Sequence, residues 1–189
     1  MLKIVGGKHR GRTLMAPAGD ATRPTAGRAR EALFNILMHA RWREDGTSPV
    51  LEARVLDAFA GSGALELEAL SRGAAHVTFL DNDGAAIRLI GENVAKLGEA
   101  AAAKVVRADA TRAPPAREAC DLVFLDPPYR SGQAAPALAA LAQAGWVAPG
   151  AVVTVELAHN EDIVPPAGFE AIDERRYGAA KLVILRHAS

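Results

Sequence analysis

Val55-Leu56-Asp57-Ala58-Phe59-Ala60-Gly61-Ser62-Gly63-Ala64-Leu65 joins an apolar run to a glycine turn, then to a helical pattern that continues through Leu67 and Leu70 to a stop at Gly73. Glycines at such a turn let the backbone bend tightly and let a ligand approach where a Cβ would stand in the way. Twenty positions after Gly61, Asp81 closes the apolar run Val77-Thr78-Phe79-Leu80. An acid at the tip of the second strand, about 20 residues past a glycine turn, is where an α/β sheet grips a nucleoside ribose. A Gly-x-Gly alone says little. Strand, glycine turn, helix, strand and terminal acid in register predict a doubly wound sheet.

The rest of the chain repeats that alternation. Strands are expected at 54–59, 76–81, 104–108, 121–126 and 151–157, with helices near 63–72, 84–97 and 133–144. Ile87, Ile90, Val94 and Leu97 mark the second of these helices. Apolar strands alternating with helices imply a parallel sheet covered on both faces. Phe169–Tyr177 and Leu182–Arg186, joined by Gly178-Ala179-Ala180-Lys181, read as a hairpin that adds one antiparallel strand. Ahead of the sheet, Arg23-Pro24-Thr25 opens a helix with Thr25 as its N-cap. Ala29, Ala32, Leu33, Ile36, Leu37 and Ala40 form its apolar stripe, and Arg28 and Glu31 lie off it. Gly46-Thr47-Ser48-Pro49 is the convincing internal boundary. It separates a basic arm and helix, 1–45, from a sheet domain, 46–189, within one globular unit.

The turn also separates ligands. A dinucleotide fingerprint wants Gly-x-Gly-x-x-Gly, but position 66 is Glu66. Asp57, at the end of the first strand, would repel a pyrophosphate and attract an amine. S-adenosylmethionine carries an ammonium and a sulfonium and no phosphate, so it fits better than NAD. Ligands in such sheets sit at the carboxyl ends of the strands, beside the point where strand order reverses. Asp57, Asp81, Asp109 and Asp126 end four successive strands. Any one of them is explained by capping; four together indicate a shared site. By position, Asp57 lies near the glycines Gly61 and Gly63 and the amino-acid end of the cofactor. Asp81 faces the ribose hydroxyls, Asp109 the adenine amine, and Asp126 the methyl.

Asp126-Pro127-Pro128-Tyr129 follows the apolar run Leu122-Val123-Phe124-Leu125 and describes a pocket for an exocyclic amine. Such an amine is a poor nucleophile because its lone pair is delocalised into the π-system. Acceptors on both N–H groups turn that lone pair toward an electrophile. A carboxylate and a free carbonyl on a stiff turn supply them, two prolines fix φ, and Tyr129 offers a flat face to a base.

The chain has 189 residues, 50% of them hydrophobic, and a formal net charge of zero. That suits a single domain with a sizeable core and excludes a disordered chain. Cys120 is the only cysteine and the five histidines are scattered, so no disulfide and no metal site are expected. No signal peptide or membrane span is legible, which points to a cytoplasmic protein that does not engage a membrane. Zero net charge hides an asymmetry: residues 1–30 hold seven cations against Asp20 alone, a net +6, and the remainder carries −6. A cationic arm on an acidic body suits a polyanion touched on one face, although a solvated tail would look the same in charge alone. Gly6-Gly7-Lys8-His9-Arg10-Gly11-Arg12 is similar to glycine-spaced basic segments that track RNA backbones.

Taken together, the basic Gly6–Arg12 segment, Arg23-Pro24-Thr25 with Arg28-Ala29-Arg30-Glu31 and Leu33-Phe34-Asn35, and Phe59-Ala60-Gly61-Ser62-Gly63-Ala64-Leu65 carry a resemblance. With Leu67-Glu68-Ala69-Leu70-Ser71-Arg72-Gly73 and the Asp126-Pro127-Pro128-Tyr129 turn, the chain resembles, over nearly its whole length, the RsmD-type bacterial rRNA methyltransferases that modify guanine N2. The resemblance implies a Rossmann-like class I methyltransferase fold: seven strands, mostly parallel, one antiparallel, with helices on both faces. It implies S-adenosylmethionine as methyl donor and 16S rRNA, within an assembled or assembling small ribosomal subunit, as substrate of a monomer. Thr25 and Phe59 lie in the segments that carry the resemblance and complete the expected cofactor set. Asp126, Pro127 and Tyr129 form the expected catalytic set, and Lys8, Arg10, Arg12 and Arg28 the expected RNA contacts. Phe59 stands where a generic methyltransferase turn has its first glycine, as it does in this family, and Asp81 is one methylene shorter than the usual Glu.

Three other readings compete. A DNA adenine methyltransferase shares the Asp-Pro-Pro-Tyr turn but needs extra mass to read a duplex. A protein-glutamine methyltransferase would carry Asn at position 126. A non-catalytic RNA-binding module would not need a full set of acids around a glycine turn.

Overall fold

The computed structural model describes residues 2–17, 24–43 and 45–188, with the side chains of 24–26 and 28 outside the description. Strands β1 (Arg54–Asp57), β2 (His76–Asp81), β3 (Ala103–Arg107), β4 (Cys120–Leu125), β5 (Val147–Ala158), β6 (Phe169–Tyr177) and β7 (Ala180–His187) form one sheet. Its order is β3-β2-β1-β4-β5-β7-β6. The first five strands pair in parallel, and β7 runs antiparallel to both β5 and β6. The hairpin's antiparallel strand therefore lies inside the sheet, and its partner β6 forms the edge.

Alternation along the strands divides the core in two. Val55, Val77, Phe79, Leu122 and Phe124 face helices α1 (Pro24–His39), α2 (Ala64–Ser71) and α3 (Gly84–Leu97), meeting Phe34, Leu37, Leu67 and Ile90. Leu56, Leu80, Val123, Leu125 and Val155 face helix α4 (Ala134–Gln143), meeting Ala137, Leu138 and Leu141. Helices thus cover both faces, three against one. Strand order reverses between β1 and β4, so a crevice opens at their carboxyl ends.

Element ends depart from the sequence reading in ways with local causes. Helix α1 begins at Pro24, whose fixed φ and missing N–H suit the first helical position. Thr25 therefore stands within the first turn and is not the N-cap. Strand β1 stops at Asp57, whose Oδ1 accepts the Phe59 N–H at 2.9 Å, so Phe59 turns out of the ladder. Strand β4 ends at Leu125, before Pro127 restricts the chain.

Residues 2–14 of the basic arm are folded and are not a solvated tail. Leu2, Ile4 and Leu14 are buried in the same core as Val55 and Leu67. Ile4 N–H donates to the Arg12 carbonyl at 3.0 Å and Leu14 N–H to that of Leu2 at 2.9 Å, which closes residues 2–14 into a loop. Buried Glu68 accepts the N–H groups of Val5 at 2.8 Å and Gly6 at 2.7 Å. At Gly7, φ is +73° and a Cβ would fall 1.7 Å from the Ser71 carbonyl oxygen, so no larger residue fits.

Candidate active site

The crevice between β1 and β4 holds a cavity of about 490 Å³, within the range of small-molecule sites. Asp57, Phe59 and Gly61 form one wall, from the β1 tip and its turn. Asp126 and Tyr129 come from the turn after β4, and Glu156 from β5. Arg30 and Leu33 of α1 close one side, and Tyr177 and Leu182 of the final hairpin another.

Backbone hydrogen bonds build the turn onto the sheet. Ala58 N–H donates to the Phe124 carbonyl at 3.1 Å and Ala60 N–H to that of Leu80 at 3.1 Å. Gly61, with φ of +53°, donates its N–H to Asp81 Oδ2 at 2.8 Å. The other oxygen of Asp81 accepts the Asp83 N–H at 2.8 Å. Gly63 sits where a Cβ would lie 3.0 Å from the Phe79 ring, so its absence lets α2 pack close on β2.

The four strand-tip aspartates take different places. Asp57 and Asp126 line the cavity. Asp81 braces it through Gly61. Asp109 is exposed and is not part of the cavity lining: its Oδ1 accepts both the N–H and the hydroxyl of Thr111, at 2.9 and 2.7 Å, and so caps the turn Ala110–Arg112. Those two bonds hold its carboxyl below the usual range.

Carboxyl groups are concentrated around the cavity. Burial pushes the Asp57 carboxyl up to about 7, against the Phe59 N–H bond and with help from Asp81. Glu66, on the first turn of α2, is fully buried, and neither carboxylate oxygen has a hydrogen-bond partner. Burial, then Asp57, raises it well above an ordinary glutamate. Asp126 is pushed up to about 8, by desolvation against the cavity wall first and then by Glu156 and Asp57. Its outer side is open to the cavity, so water screens this effect. Such a site favours a cationic ligand.

The turn carrying Asp126 is stiff and tied down. Pro127 is buried, and the Pro128 carbonyl accepts the Ser131 N–H at 3.1 Å. Arg130 has φ of +60°, unusual for a side-chain-bearing residue, and its N–H donates to Glu161 at 3.0 Å. Tyr129, half exposed, donates its phenol to Glu156 Oε1 at 2.7 Å.

Arg30 is buried, donates to the Lys3 carbonyl and faces Glu68 at 3.5 Å. It thereby links the arm, α1 and α2 to the cavity wall. The arm's basic tip lies elsewhere. His9 N–H donates to Ser71 Oγ at 2.9 Å, at the far end of the eight-residue α2, about 12 Å along its axis from the glycine turn. Lys8 pairs with Glu99 at 2.7 Å, Arg12 donates to the Lys96 carbonyl at 2.9 Å, and Arg10 is exposed. The side chains of Thr25 and Arg28 lie outside the described residues, although both backbones belong to α1, which presents Ala29 and Arg30 to the cavity.

Sequence reasoning missed Glu156, Arg30 and Tyr177 as wall residues. Glu156 carried a signal: it is the acid in Val152-Val153-Thr154-Val155-Glu156-Leu157, an otherwise apolar strand. Tyr177 carried none, because only the insertion of β7 beside β5 brings the hairpin to the crevice. No helix of the described residues is long and apolar enough to cross a membrane.

A family model described as "Conserved hypothetical protein 95" matches residues 2–186. Ribosomal RNA small subunit methyltransferase D of Escherichia coli (strain K12) is 40% identical over 157 residues, covering 82% of this chain and 74% of that protein. The protein of the same name from Haemophilus influenzae is 33% identical over 181 residues, covering 94% and 89%. The solved structure of yhhF from Escherichia coli matches with a TM-score of 0.81 at 36% identity, covering 98% of this chain and 97% of that one.

Proposed function

This chain belongs to the RsmD family of ribosomal RNA small subunit methyltransferases, and from that premise we propose that it methylates the exocyclic N2 of a guanine in 16S rRNA, using S-adenosylmethionine. The observation that carries the reading is that one cavity joins the Asp57 glycine turn to the Asp126–Tyr129 turn. A donor place and an amine-accepting place therefore open on each other. The surrounding acids suit a donor with an ammonium and a sulfonium and would repel a pyrophosphate.

In this reading Asp57 holds the ammonium end, with Phe59, Gly61, Gly63 and Thr25 around the donor. Asp81 accepts from the ribose while bracing Gly61, and Asp109 reaches the adenine amine with the oxygen that does not cap its turn. Bound S-adenosylmethionine would supply an electrophilic methyl on a sulfonium, to be taken by the N2 lone pair with the sulfur as leaving group. Asp126 accepts one N2–H and the Pro127 carbonyl the other, since the Pro128 carbonyl is taken by Ser131. Tyr129 supports the flipped base by stacking. The proton leaves N2 once it has become cationic, to Asp126 or to water.

Residues 1–45 supply the RNA contacts, through Lys8, Arg10, Arg12 and Arg28, and 46–189 the chemistry, in one unit that acts as a monomer on the small subunit. The test is methyl transfer from isotope-labelled S-adenosylmethionine to small-subunit particles, followed by nucleoside mass spectrometry. N2-methylguanosine is the expected product. Label in adenosine, in another guanine position or in protein would refute the reading.

A further inference from the structure

We propose that Glu156 is the residue with which this site selects guanine, by accepting the N1–H that lies beside the target amine. The inference rests on the guanine-N2 reading above and adds a residue to it. Leu125 and Val155 are registered neighbours on parallel strands β4 and β5, and both face α4. Glu156, the next residue of β5, therefore faces the other side of the sheet, and Asp126 follows directly at the end of β4. Both line the cavity. Tyr129 Oη donates to Glu156 Oε1 at 2.7 Å, which anchors the carboxylate and leaves Oε2 to meet a ligand.

Two adjacent carboxylates present a row of acceptors, and base edges differ in what they offer to such a row. Guanine shows N1–H and N2–H₂, donor beside donor. Adenine and cytosine show an amine beside a ring nitrogen with a lone pair, which a carboxylate repels. With Asp126 on the amine, Glu156 meets N1–H in guanine alone. A site built to accept a hydrogen bond rejects an analogue that lacks the donor far more strongly than shape alone could. Burial of the pair behind a seated base raises the cost of the mismatch. The tie to Tyr129 keeps the carboxylate in place before the base arrives, so little is lost in orienting it.

The alternative is that Glu156 only holds Tyr129. The two separate on RNA carrying guanine or 2-aminopurine at the target position, since 2-aminopurine keeps the amine but has a lone pair at N1. Single-turnover rates are compared on both RNAs for the wild-type protein, Glu156→Gln and Tyr129→Phe. Glu156→Gln keeps an acceptor for the Tyr129 phenol and turns an N–H₂ toward N1. The intrinsic reactivity of the two amines cancels in the ratio of ratios. We expect the preference for guanine to fall at least tenfold in Glu156→Gln and less than that in Tyr129→Phe. A smaller fall in Glu156→Gln, or an equal fall in Tyr129→Phe, overturns the proposal. So does a wild-type protein that methylates 2-aminopurine RNA within threefold of guanine RNA, whether or not the variants fold. A wild-type protein that makes no N2-methylguanosine would instead remove the functional reading on which the proposal stands.

Discussion

The N–H of Gly61 donates to Asp81 Oδ2 at 2.8 Å, so the acid that ends β2 holds the glycine turn that follows β1. In the proposed reading, cofactor affinity and the shape of the turn are linked in this one side chain. Asp81→Ala is expected to weaken S-adenosylmethionine binding by about 1–3 kcal/mol. It should also lower the melting temperature of the free protein, because Gly61 and Asp83 lose an acceptor. Calorimetry that finds unchanged affinity would take Asp81 out of the ribose site.

Asp126→Asn keeps one acceptor but points a donor at the target amine. Turnover should fall by roughly 10²-fold or more while cofactor affinity survives. Tyr129→Ala should cost about 1–3 kcal/mol of base stacking. Single-turnover assays on small-subunit particles read both effects, and near-normal methylation by Asp126→Asn would end the orienting role.

Acid pH should inhibit the enzyme through the same residue. The Asp126 carboxyl is raised to about 8 in the free protein, by desolvation first and then by Glu156 and Asp57. Only its anionic form accepts from the amine with both oxygens. Since kcat/KM reports the free enzyme and water screens part of the shift, it should climb with pH up to about 8. A bound sulfonium should move the single-turnover profile to lower pH. A flat profile between pH 6 and 9 would contradict this.

Stability should run the other way. Asp57 and Glu66 are buried and raised on folding, so the folded protein binds more protons than the unfolded chain above the ordinary carboxylate range. Their stabilisation is complete below about pH 4 and is lost as pH rises through about 7 for Asp57 and higher for Glu66. The ligand-free protein should melt several degrees lower at pH 9 than at pH 7, about 1 kcal/mol corresponding to about 2–4 °C in a chain of this size. Glu66→Gln should reduce that difference, as measured by calorimetric melting.

Replacing Lys8, Arg10 and Arg12 together should raise the RNA dissociation constant. The salt dependence should flatten by about 0.7 in slope for each phosphate that is no longer neutralised. Cofactor affinity should stay the same, because the arm's tip docks at the end of α2 remote from the glycine turn. An unchanged salt slope would mean that Lys8 and Arg12 serve only their partners Glu99 and Lys96.

Glu68 carries the remaining prediction. It is fully buried, accepts from Val5, Gly6 and Arg72, and faces Arg30. Glu68→Ala would leave the buried Arg30 guanidinium and the partly buried Arg72 without their carboxylate, at a cost of about 3–5 kcal/mol. Denaturant unfolding measures it, and a loss under 1 kcal/mol would show the network to be unimportant.

Much of this molecule is legible without coordinates. Apolar runs of strand length separated by helical patterns dictate a parallel sheet, because those runs have to be buried on both sides. The glycines and aspartates at the strand tips mark where the loops gather. Element ends are harder to read, since they depend on single hydrogen bonds such as the one from Phe59 to Asp57. The arm is ambiguous in sequence for a related reason. Its charges are plain there, but its anchor is Glu68, more than sixty residues away.

What the sequence determined by itself was the kind of sheet, the glycine turn after β1 and the amine-accepting turn after β4, since each is a local pattern with a local cause. Tertiary structure alone decided how they combine. Pairing of β1 with β4 made one cavity of two turns, and pairing of β4 with β5 set Glu156 beside Asp126. Capping of a local turn left Asp109 exposed at the margin, although by sequence it equals the other three. Strand order and register are set by the packing of the whole core, and no window of residues contains them.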